Sequence, residues 1–378
     1  MTGGHDGKFD VPALTGLRAL AAWWVVVYHV RILFVGTAPE LIPFFAKGYL
    51  AVDMFFVLSG FVIYLNYAGR LTATLSSLSD FMVRRIARIY PLHFVLLMAA
   101  LAYALAVLAA GKPLPDRYAP DLFVLNLFLV HNWGFTDVLG WNIPSWSIST
   151  ELFAYMLFPL VPLVLRWERW SALALGVAIA GLIAGLHFAF AREGLTLLGQ
   201  QVAQMGLLRC VTQFMIGTIL CALFLRARTL KSRPWLSILL LVLAGGLAAG
   251  VAGYGFAETL TLPWLWVALI LGISLWPAGW LNPLAARGLV YLGDISYSTY
   301  LLHYLAFVFF KLVFVDDLRA VPGWVGPAFL LAVLCMSIAL YHGVERPAQR
   351  WILNGWKRRR GNGAATGPSL AGVTEPRS

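Results

Sequence analysis

Stretches of about 20 mostly apolar residues recur along the 378-residue chain, separated by short polar segments. Coiled as an α-helix, such a stretch is long enough to cross the hydrocarbon core of a bilayer. With 60% apolar and 12% charged residues, the composition excludes a soluble enzyme, a disordered protein and a disulfide-stapled scaffold. The sequence therefore predicts an all-α, multi-pass membrane protein with about ten spans: 13–34, 48–67, 90–110, 147–165, 171–190, 205–225, 235–254, 262–280, 289–310 and 324–344.

A further apolar segment, residues 122–133, is too short to cross a bilayer as a helix. We expect this segment to be re-entrant or to lie at the membrane interface. Two Gly-x-x-x-Gly pairs predict close packing of helices: Gly181 with Gly185, and Gly246 with Gly250. The chain divides into a cytoplasmic N-terminus, a membrane-embedded domain and a basic, then disordered, cytoplasmic tail: 1–12, 13–356 and 357–378.

The distribution of Lys and Arg gives the chain an orientation. With the N-terminus inside, 19 of the 28 Lys and Arg residues fall in cytoplasmic segments and seven on the outer side, while Arg18 and Arg209 lie within spans. Cytoplasmic loops of membrane proteins carry such an excess. The asymmetry predicts that both termini are cytoplasmic, provided that 122–133 does not cross. Because the net charge of +11 is spread over these loops, no nucleic-acid partner is expected.

Ionisable side chains inside a membrane are costly and mark functional sites. Counted from the span ends, four of them fall at one depth in the outer half of the membrane, and Arg18 lies nearer the inner side. A carboxylate can orient a histidine and raise its basicity, so we expect Asp53 to hydrogen-bond His29. The alternative for each residue alone is a packing role, or helix capping for Glu151. The four residues are His29, Asp53, Glu151 and His303.

A basic cluster leads into the third predicted span at the inner side. Arg85 and Arg88 are three residues apart, hence on one face of a helix and able to hold one anionic group together. The alternative is an ordinary basic cytoplasmic loop. The sequence contains no Gly-x-Ser-x-Gly, His-Glu-x-x-His or phosphate-binding Gly-Lys-Ser/Thr motif, so neither a bound metal ion nor nucleotide hydrolysis is expected.

The chain resembles the acyltransferase-3 family of integral membrane proteins over about residues 14–350, through six short motifs in the family's order. At Leu152 many members carry a second acidic or polar residue instead, which leaves the role of that position open. The first motif is Arg18 followed after ten residues by His29. The others are Gly48–Phe61 around Asp53, Arg85-x-x-Arg88 with Tyr90-Pro91, Trp146–Glu151, Tyr297–His303 and Glu345-Arg346-Pro347.

The resemblance implies an enzyme of the bacterial inner membrane that O-acylates, usually O-acetylates, a hydroxyl of a cell-envelope carbohydrate or related acceptor. Cytoplasmic acyl-CoA is the implied donor, with no bound cofactor. The resemblance and the positions above together assign donor binding to Arg18, Arg85 and Arg88. The catalytic residues are then His29, Asp53 and Glu151, and the residues expected on the acceptor side are Trp146, Ser147, Tyr300 and His303.

A proton-coupled transporter of a sugar or lipid-linked substrate is the alternative. Clusters of histidine and carboxylate also relay protons across membranes. Two features argue against a transporter: the inner pair of arginines, and the lack of the two matching halves that many transporters show. Acyl transfer by the purified protein would distinguish the enzyme from the transporter.

The predicted topology can be measured by thiol labelling. Single cysteines at Thr136 and Asp316 should react with a membrane-impermeant reagent added to intact cells, because both positions lie on the predicted outer side. A cysteine at Ser232 should react only after the cells are opened. Labelling of Ser232 from outside would invert the orientation and place Arg85 and Arg88 on the wrong side for a cytoplasmic donor.

Overall fold

The computed structural model describes residues 11–228, 233–277, 280–314 and 321–365. Within these ranges the regular structure is helical, as the apolar pattern predicts. The α-helices follow in chain order: α1 Pro12–Val30, α2 Ile42–Phe45, α3 Ala51–Tyr67, α4 Leu75–Ala109, α5 Pro120–Leu127, α6 Trp146–Leu157, α7 Ala172–Arg192, α8 Val202–Ala227, α9 Pro234–Gly253, α10 Glu258–Ser274, α11 Arg287–Asp294, α12 Ser296–Phe314, α13 Val325–Leu340 and α14 Arg346–Ala365.

The predicted multi-pass architecture is confirmed. Nine helical stretches within the described ranges are long and apolar enough to cross a membrane. The remaining predicted span is α10, an apolar helix of 17 residues that packs against α7, α8 and α9. We call the side of the molecule that carries Pro12 the inner face, and its assignment to the cytoplasm stays a prediction. Residues 1–10 of the predicted N-terminal segment lie outside the described ranges.

Helix α4 is longer than the third predicted span. It begins at Leu75 and has 35 residues, and Thr74 caps it by accepting a hydrogen bond from the backbone N–H of Ser77 at 3.3 Å. The added turns carry Arg85 and Arg88, whose charges are typical of a loop outside the membrane. Both arginines are instead partly buried on a helix, which excludes the alternative of an ordinary basic loop.

The segment 122–133 forms no crossing, as the sequence predicts. Helix α5 ends at Leu127 after eight residues, about 12 Å of helix, and irregular chain follows as far as Asn142. Within a membrane such a backbone is tolerated only where protein encloses it. Leu129 and Asn132 near the start of this irregular chain and Asn142 at its end are buried, while Phe135 and Val138 between them are exposed. The chain therefore enters α6 from inside the protein, not from its surface.

Neutral polar side chains form hydrogen bonds at both ends of this irregular segment. The Asn142 amide donates to the backbone carbonyl of Leu301 at 2.9 Å. Burial, and next the nearby His93, lower the pKa of His131 to about 3, so its imidazole is neutral. The His131 Nε2 atom lies 3.1 Å from the Ser145 hydroxyl. Neutral partners suit this position, because burying an unpaired charge would cost far more than burying a hydrogen-bonded dipole.

A close helix crossing joins α3 and α8, with glycine on both helices. A Cβ atom on Gly217 would lie 1.9 Å from the carbonyl oxygen of Val57, and one on Gly60 would lie 2.0 Å from that of Phe214. Backbones approach this closely only where the side chain is a hydrogen atom. The two glycines therefore set the distance between α3 and α8, which both carry residues of the site described below.

The Gly-x-x-x-Gly pairs that the sequence singles out are not at such crossings, so that prediction is wrong. A Cβ atom on Gly181, Gly185 or Gly246 would meet nothing within 4 Å, and one on Gly250 would meet the ring of Phe256. The motif reports small residues on one helix face, but only the tertiary structure decides whether another helix covers that face.

Helix α14 corrects the predicted tail. A π-helical turn, Tyr341–Glu345, joins α13 to α14, which runs on to Ala365. The tail predicted as basic and then disordered is thus helical as far as Ala365, because side chains of α14 dock on α4. Residues 366–378 of that predicted tail lie outside the described ranges.

The α3–α8 crossing gives a stability prediction. Gly217→Ala should lower the free energy of unfolding by about 1–3 kcal/mol, because the new methyl group overlaps the Val57 carbonyl and forces the helices apart. The measurement is thermal unfolding of the detergent-purified protein. Gly181→Ala is the matched control and should leave the melting temperature unchanged. Equal effects of the two substitutions would contradict the assignment of this crossing.

Candidate active site

Two cavities adjoin each other between the helices. The smaller, the core cavity, has a volume of about 180 Å³ and lies between α1, α3, α4, α6 and α12. The larger, the vestibule, has a volume of about 660 Å³ and lies between the inner ends of α3, α4, α11 and α14. Arg18, Arg85 and Arg88 line both cavities. A cationic neck therefore separates the vestibule from the interior.

Six of the ten residues that the sequence singles out line the core cavity: Arg18, Arg85, Arg88, Ser147, Glu151 and Tyr300. The Ser147 and Tyr300 hydroxyls lie 2.8 Å apart and form one wall. Ser147 and Tyr300 were expected on the acceptor side, yet they share this cavity with the three arginines. Glu151 accepts a hydrogen bond from Ser59 at 2.5 Å.

Arg85 is fixed by aromatic side chains. Its guanidinium donates to the Tyr67 hydroxyl at 2.9 Å and lies 5.0 Å from the centre of the Tyr67 ring. It also lies 5.9 Å from the ring of Tyr155. The Arg85 Nε atom is buried and has no hydrogen-bond partner among the described residues. A buried, fixed guanidinium with an unused donor can hold an anionic group.

Arg88 is already paired. It forms an ion pair with Glu345, whose second carboxylate oxygen accepts a hydrogen bond from Ser298 at 2.6 Å. Arg88 also lies 5.4 Å from the centre of the Tyr297 ring. The predicted equal grip of Arg85 and Arg88 on one anion is thus replaced by an unequal pair, in which part of the Arg88 charge is compensated.

His29 and His303 contact each other. The His303 Nε2 atom lies 3.0 Å from Nδ1 of His29, and the ring centres are 4.9 Å apart. His303 Nδ1 lies 2.6 Å from the carbonyl oxygen of Tyr300, and His29 Nδ1 lies 3.0 Å from that of Val25. Thus α1 and α12 each supply one imidazole and one carbonyl acceptor to a single cluster.

The carbonyl partners assign the protons of the two imidazoles. A carbonyl oxygen only accepts, so His303 carries its proton on Nδ1 and offers Nε2 as an acceptor. His29 then carries its proton on Nδ1 and donates it toward His303 and Val25. This leaves the Nε2 atom of His29 unprotonated. His29 is therefore arranged as a base, oriented by backbone carbonyls and a second imidazole.

Asp53 does not orient His29, so the expected hydrogen bond between them is wrong. The carboxylate of Asp53 accepts two hydrogen bonds from Arg209, at 2.7 and 2.5 Å. Arg209 also donates to the backbone carbonyls of Leu198 and Tyr49, at 2.9 and 3.2 Å. Both charged side chains are buried. The physical reason is the charge of Arg209, which requires a carboxylate in this apolar region.

Trp146 belongs to the same buried cluster. Its ring lies 5.4 Å from the Arg209 guanidinium and packs edge-on against Phe56 at 5.8 Å between ring centres. It is 7% exposed and does not line the core cavity. A cation–π contact in buried surroundings stabilises the pair. Trp146 thus lies behind the wall of the core cavity, and its place on the acceptor side stays a prediction.

The four ionisable residues expected at one depth separate into three places: the cavity for Glu151, the Arg209 pair for Asp53, and the imidazole cluster for His29 and His303. A common depth along the spans does not by itself bring side chains together, and α6 and α12 both begin inside the protein. Trp146 and Ser296, their first residues, are both buried. Helix α11 precedes α12 and packs against α1, so the predicted span 289–310 is two helices.

Sequence reasoning missed several partners in this region. Glu345 belongs to the Glu345-Arg346-Pro347 motif, to which the sequence assigns no role. The structure shows that Glu345 pairs with Arg88. The sequence marks Arg209 only as a basic residue within a predicted span, and that unusual position is the available signal that it needs a partner. Ser59 gives no signal by itself. Among the described residues, no three His, Cys, Asp or Glu side chains converge as a metal site would require.

Comparisons with known proteins extend this picture. A family model described as "Acyltransferase domain" matches residues 11–342. Acyltransferase MdmB of Streptomyces mycarofaciens is 29% identical over 90% of this chain and 92% of its own. Exopolysaccharide production protein ExoZ of Rhizobium meliloti is 29% identical over 81% of this chain and 91% of its own. Peptidoglycan O-acetyltransferase OatA of Listeria monocytogenes is 30% identical over 47% of this chain but only 28% of its own. No solved structure was found to match.

The buried ion pair predicts a stability effect of Asp53. Asp53→Asn should lower the free energy of unfolding by about 3–5 kcal/mol, because Arg209 would remain buried without its counter-charge. The measurement is thermal unfolding in detergent. The double variant Asp53→Leu with Arg209→Met should be more stable than Asp53→Asn, since no charge is left unpaired. Full stability of Asp53→Asn with loss of activity would restore a role in orienting the base.

Proposed function

Because the chain belongs to the acyltransferase family of multi-pass membrane O-acyltransferases, we propose that its donor is acyl-CoA, taken from the inner face, and that its acceptor is a hydroxyl of a cell-envelope carbohydrate. Acetyl is the acyl group favoured by a relative's name, O-acetyltransferase, and a saccharide acceptor by the names of two relatives. One observation carries the donor assignment: the vestibule and the core cavity meet at three arginines.

The two cavities fit the two parts of such a donor. The vestibule, with its basic lining, takes the phosphates, and the unpaired Nε of Arg85 supplies a donor at the neck. The core cavity takes the uncharged arm, because much of its wall is apolar or aromatic, including Val52 and Phe55. The acyl end then lies at Tyr300, three residues and about 4.5 Å of helix rise from His303.

The reaction follows from the protonation of the histidine cluster. The unprotonated Nε2 of His29 accepts the proton of the acceptor hydroxyl as its oxygen attacks the thioester carbonyl. A C–O bond forms, the C–S bond breaks, and the proton returns to the departing thiolate, so that an ester and free thiol are released. His303 acts as a positioning residue, since it acts through His29.

The positive charge formed on His29 needs stabilisation without a carboxylate. The carbonyl of Val25 and the unprotonated Nε2 of His303 both accept from its Nδ1. The rings of Tyr28 and Tyr304 lie 4.7 and 5.6 Å from it. The negatively polarised face of an aromatic ring lowers the cost of a transient cation in a site shielded from water.

Glu151 has a different role in this scheme from the catalytic role expected for it. It shares the core cavity with Arg18, Arg85 and Arg88. A carboxylate among three cations reduces the repulsion between them. It also weakens their hold on the phosphates, so that the CoA product can be released. We propose that Glu151 positions the arginines, and that Ser147 and Tyr300 line the path of the donor.

Two substitutions test donor and base separately. His29→Ala should lower acyl transfer by about 10²–10⁴-fold, because a general base contributes that much, while acyl-CoA binding stays intact. Arg85→Ala should weaken acyl-CoA binding by about 1.5–3 kcal/mol, the cost of a charge-assisted hydrogen bond. The measurements are transfer of labelled acetyl from acetyl-CoA in membranes, and equilibrium binding of CoA to the detergent-purified full-length protein.

Matched controls exist for both substitutions. His187→Ala removes another partly buried histidine and should leave transfer unchanged. His187 hydrogen-bonds with Thr259 and lines neither the core cavity nor the vestibule. Arg169→Ala removes an exposed arginine that lines neither cavity and should leave binding unchanged. Near wild-type transfer by His29→Ala would end the proposed role of this base. Unchanged CoA binding by Arg85→Ala would end the donor assignment at the neck.

A further inference from the structure

Helix α14 forms one wall of the vestibule and lies antiparallel to α4. The two helices are joined at both ends by ion pairs. At the end nearer the core cavity, Arg88 of α4 pairs with Glu345, immediately before α14. At the far end, Asp80 of α4 pairs with Arg360 and accepts a hydrogen bond from the indole of Trp356. The wall is therefore held in one register on α4.

This register brings Lys357 into the vestibule. Trp356 and Arg360 are four residues apart, hence on the one face of α14 that docks on α4. Lys357, the next residue, takes no part in that docking and lines the vestibule together with Gln349. Along α14, Lys357 lies twelve residues, about 18 Å, from Glu345. The Lys357 ammonium group therefore lies at the end of the vestibule that is far from the neck, which we call the rim.

The rim has the charge that a phosphate monoester requires. Arg84 of α4 and Lys357 of α14 both line the vestibule there. The carboxylate of Asp80 lies nearby, but its pairing with Arg360 reduces its repulsion of an anion. A phosphate monoester carries a charge of about −1.5 to −2 at pH 7, and a compact, mobile ammonium group suits it.

We propose that Lys357, with Arg84, forms the subsite for the 3′-phosphate of coenzyme A, so that the enzyme selects CoA thioesters over thioesters of carriers that lack this phosphate. The inference rests on the proposed donor. In coenzyme A the 3′-phosphate lies at the opposite end of the molecule from the thioester. With the diphosphate at the neck and the thiol arm in the core cavity, the nucleotide end reaches the rim.

The test compares binding of CoA and 3′-dephospho-CoA to the detergent-purified full-length protein, which requires no acceptor. The unsubstituted protein should bind CoA about tenfold more tightly than dephospho-CoA, as expected for one charge-assisted contact. Lys357→Ala should remove this preference by weakening CoA binding alone, and Lys357→Arg should retain most of it. Lys357 is exposed, so its replacement should not disturb folding.

Arg359→Ala is the matched control. It removes the same charge two residues away, from a position of α14 that does not line the vestibule, and should leave both affinities unchanged. Equal weakening by Lys357→Ala and Arg359→Ala would show a diffuse charge effect and overturn the subsite. A preference for CoA that survives Lys357→Ala would also overturn it. If the unsubstituted protein binds neither compound, the proposed donor fails, and the subsite fails with it.

Discussion

The rest of the structure depends on the buried ion pair between Asp53 and Arg209. It joins α3 to α8, whose backbones already touch at Gly60 and Gly217. A charge in apolar surroundings is tolerated only with full compensation, and here two carboxylate oxygens, two backbone carbonyls and an indole ring supply it. Because that indole belongs to the first residue of α6, the pair also fixes where α6 begins. Neither Asp53 nor Arg209 lines the core cavity, yet their ion pair positions α6, which forms one wall of that cavity.

Pairing of charges also explains why the net charge of the site differs from one end to the other. Two of the carboxylates described above have cations of their own, Asp53 with Arg209 and Glu345 with Arg88. Each of these ion pairs is nearly neutral as a unit, so its electric field on a substrate is small. The pairs therefore orient helices more than they attract a substrate. The remaining positive charge is concentrated at the neck and in the vestibule, where Arg85 keeps an unused buried donor. An anionic ligand is therefore attracted to one end of the path, while the other end stays neutral.

In the histidine cluster, the ring of His29 is oriented without a carboxylate. In this cluster backbone carbonyls of α1 and α12 fix the protons on both rings, and the second imidazole supplies an acceptor that carries no charge. A neutral arrangement costs less to bury than an imidazole–carboxylate pair, which would add a charge to an apolar region.

The sequence by itself determined the all-helical membrane class, the absence of a crossing at 122–133, and six of the residues that line the core cavity. It could do so because apolar length and the cost of intramembrane charge are local properties, readable residue by residue. The tertiary structure alone decided which charges meet. Asp53 pairs with Arg209 and not with His29, and α14 docks on α4 through Trp356 and Arg360. A Cβ atom on Gly181, Gly185 or Gly246 would meet none of the described residues within 4 Å. Whether two charged side chains meet depends on which helices face each other, and that is set by packing between distant parts of the chain, which no local property of the sequence encodes.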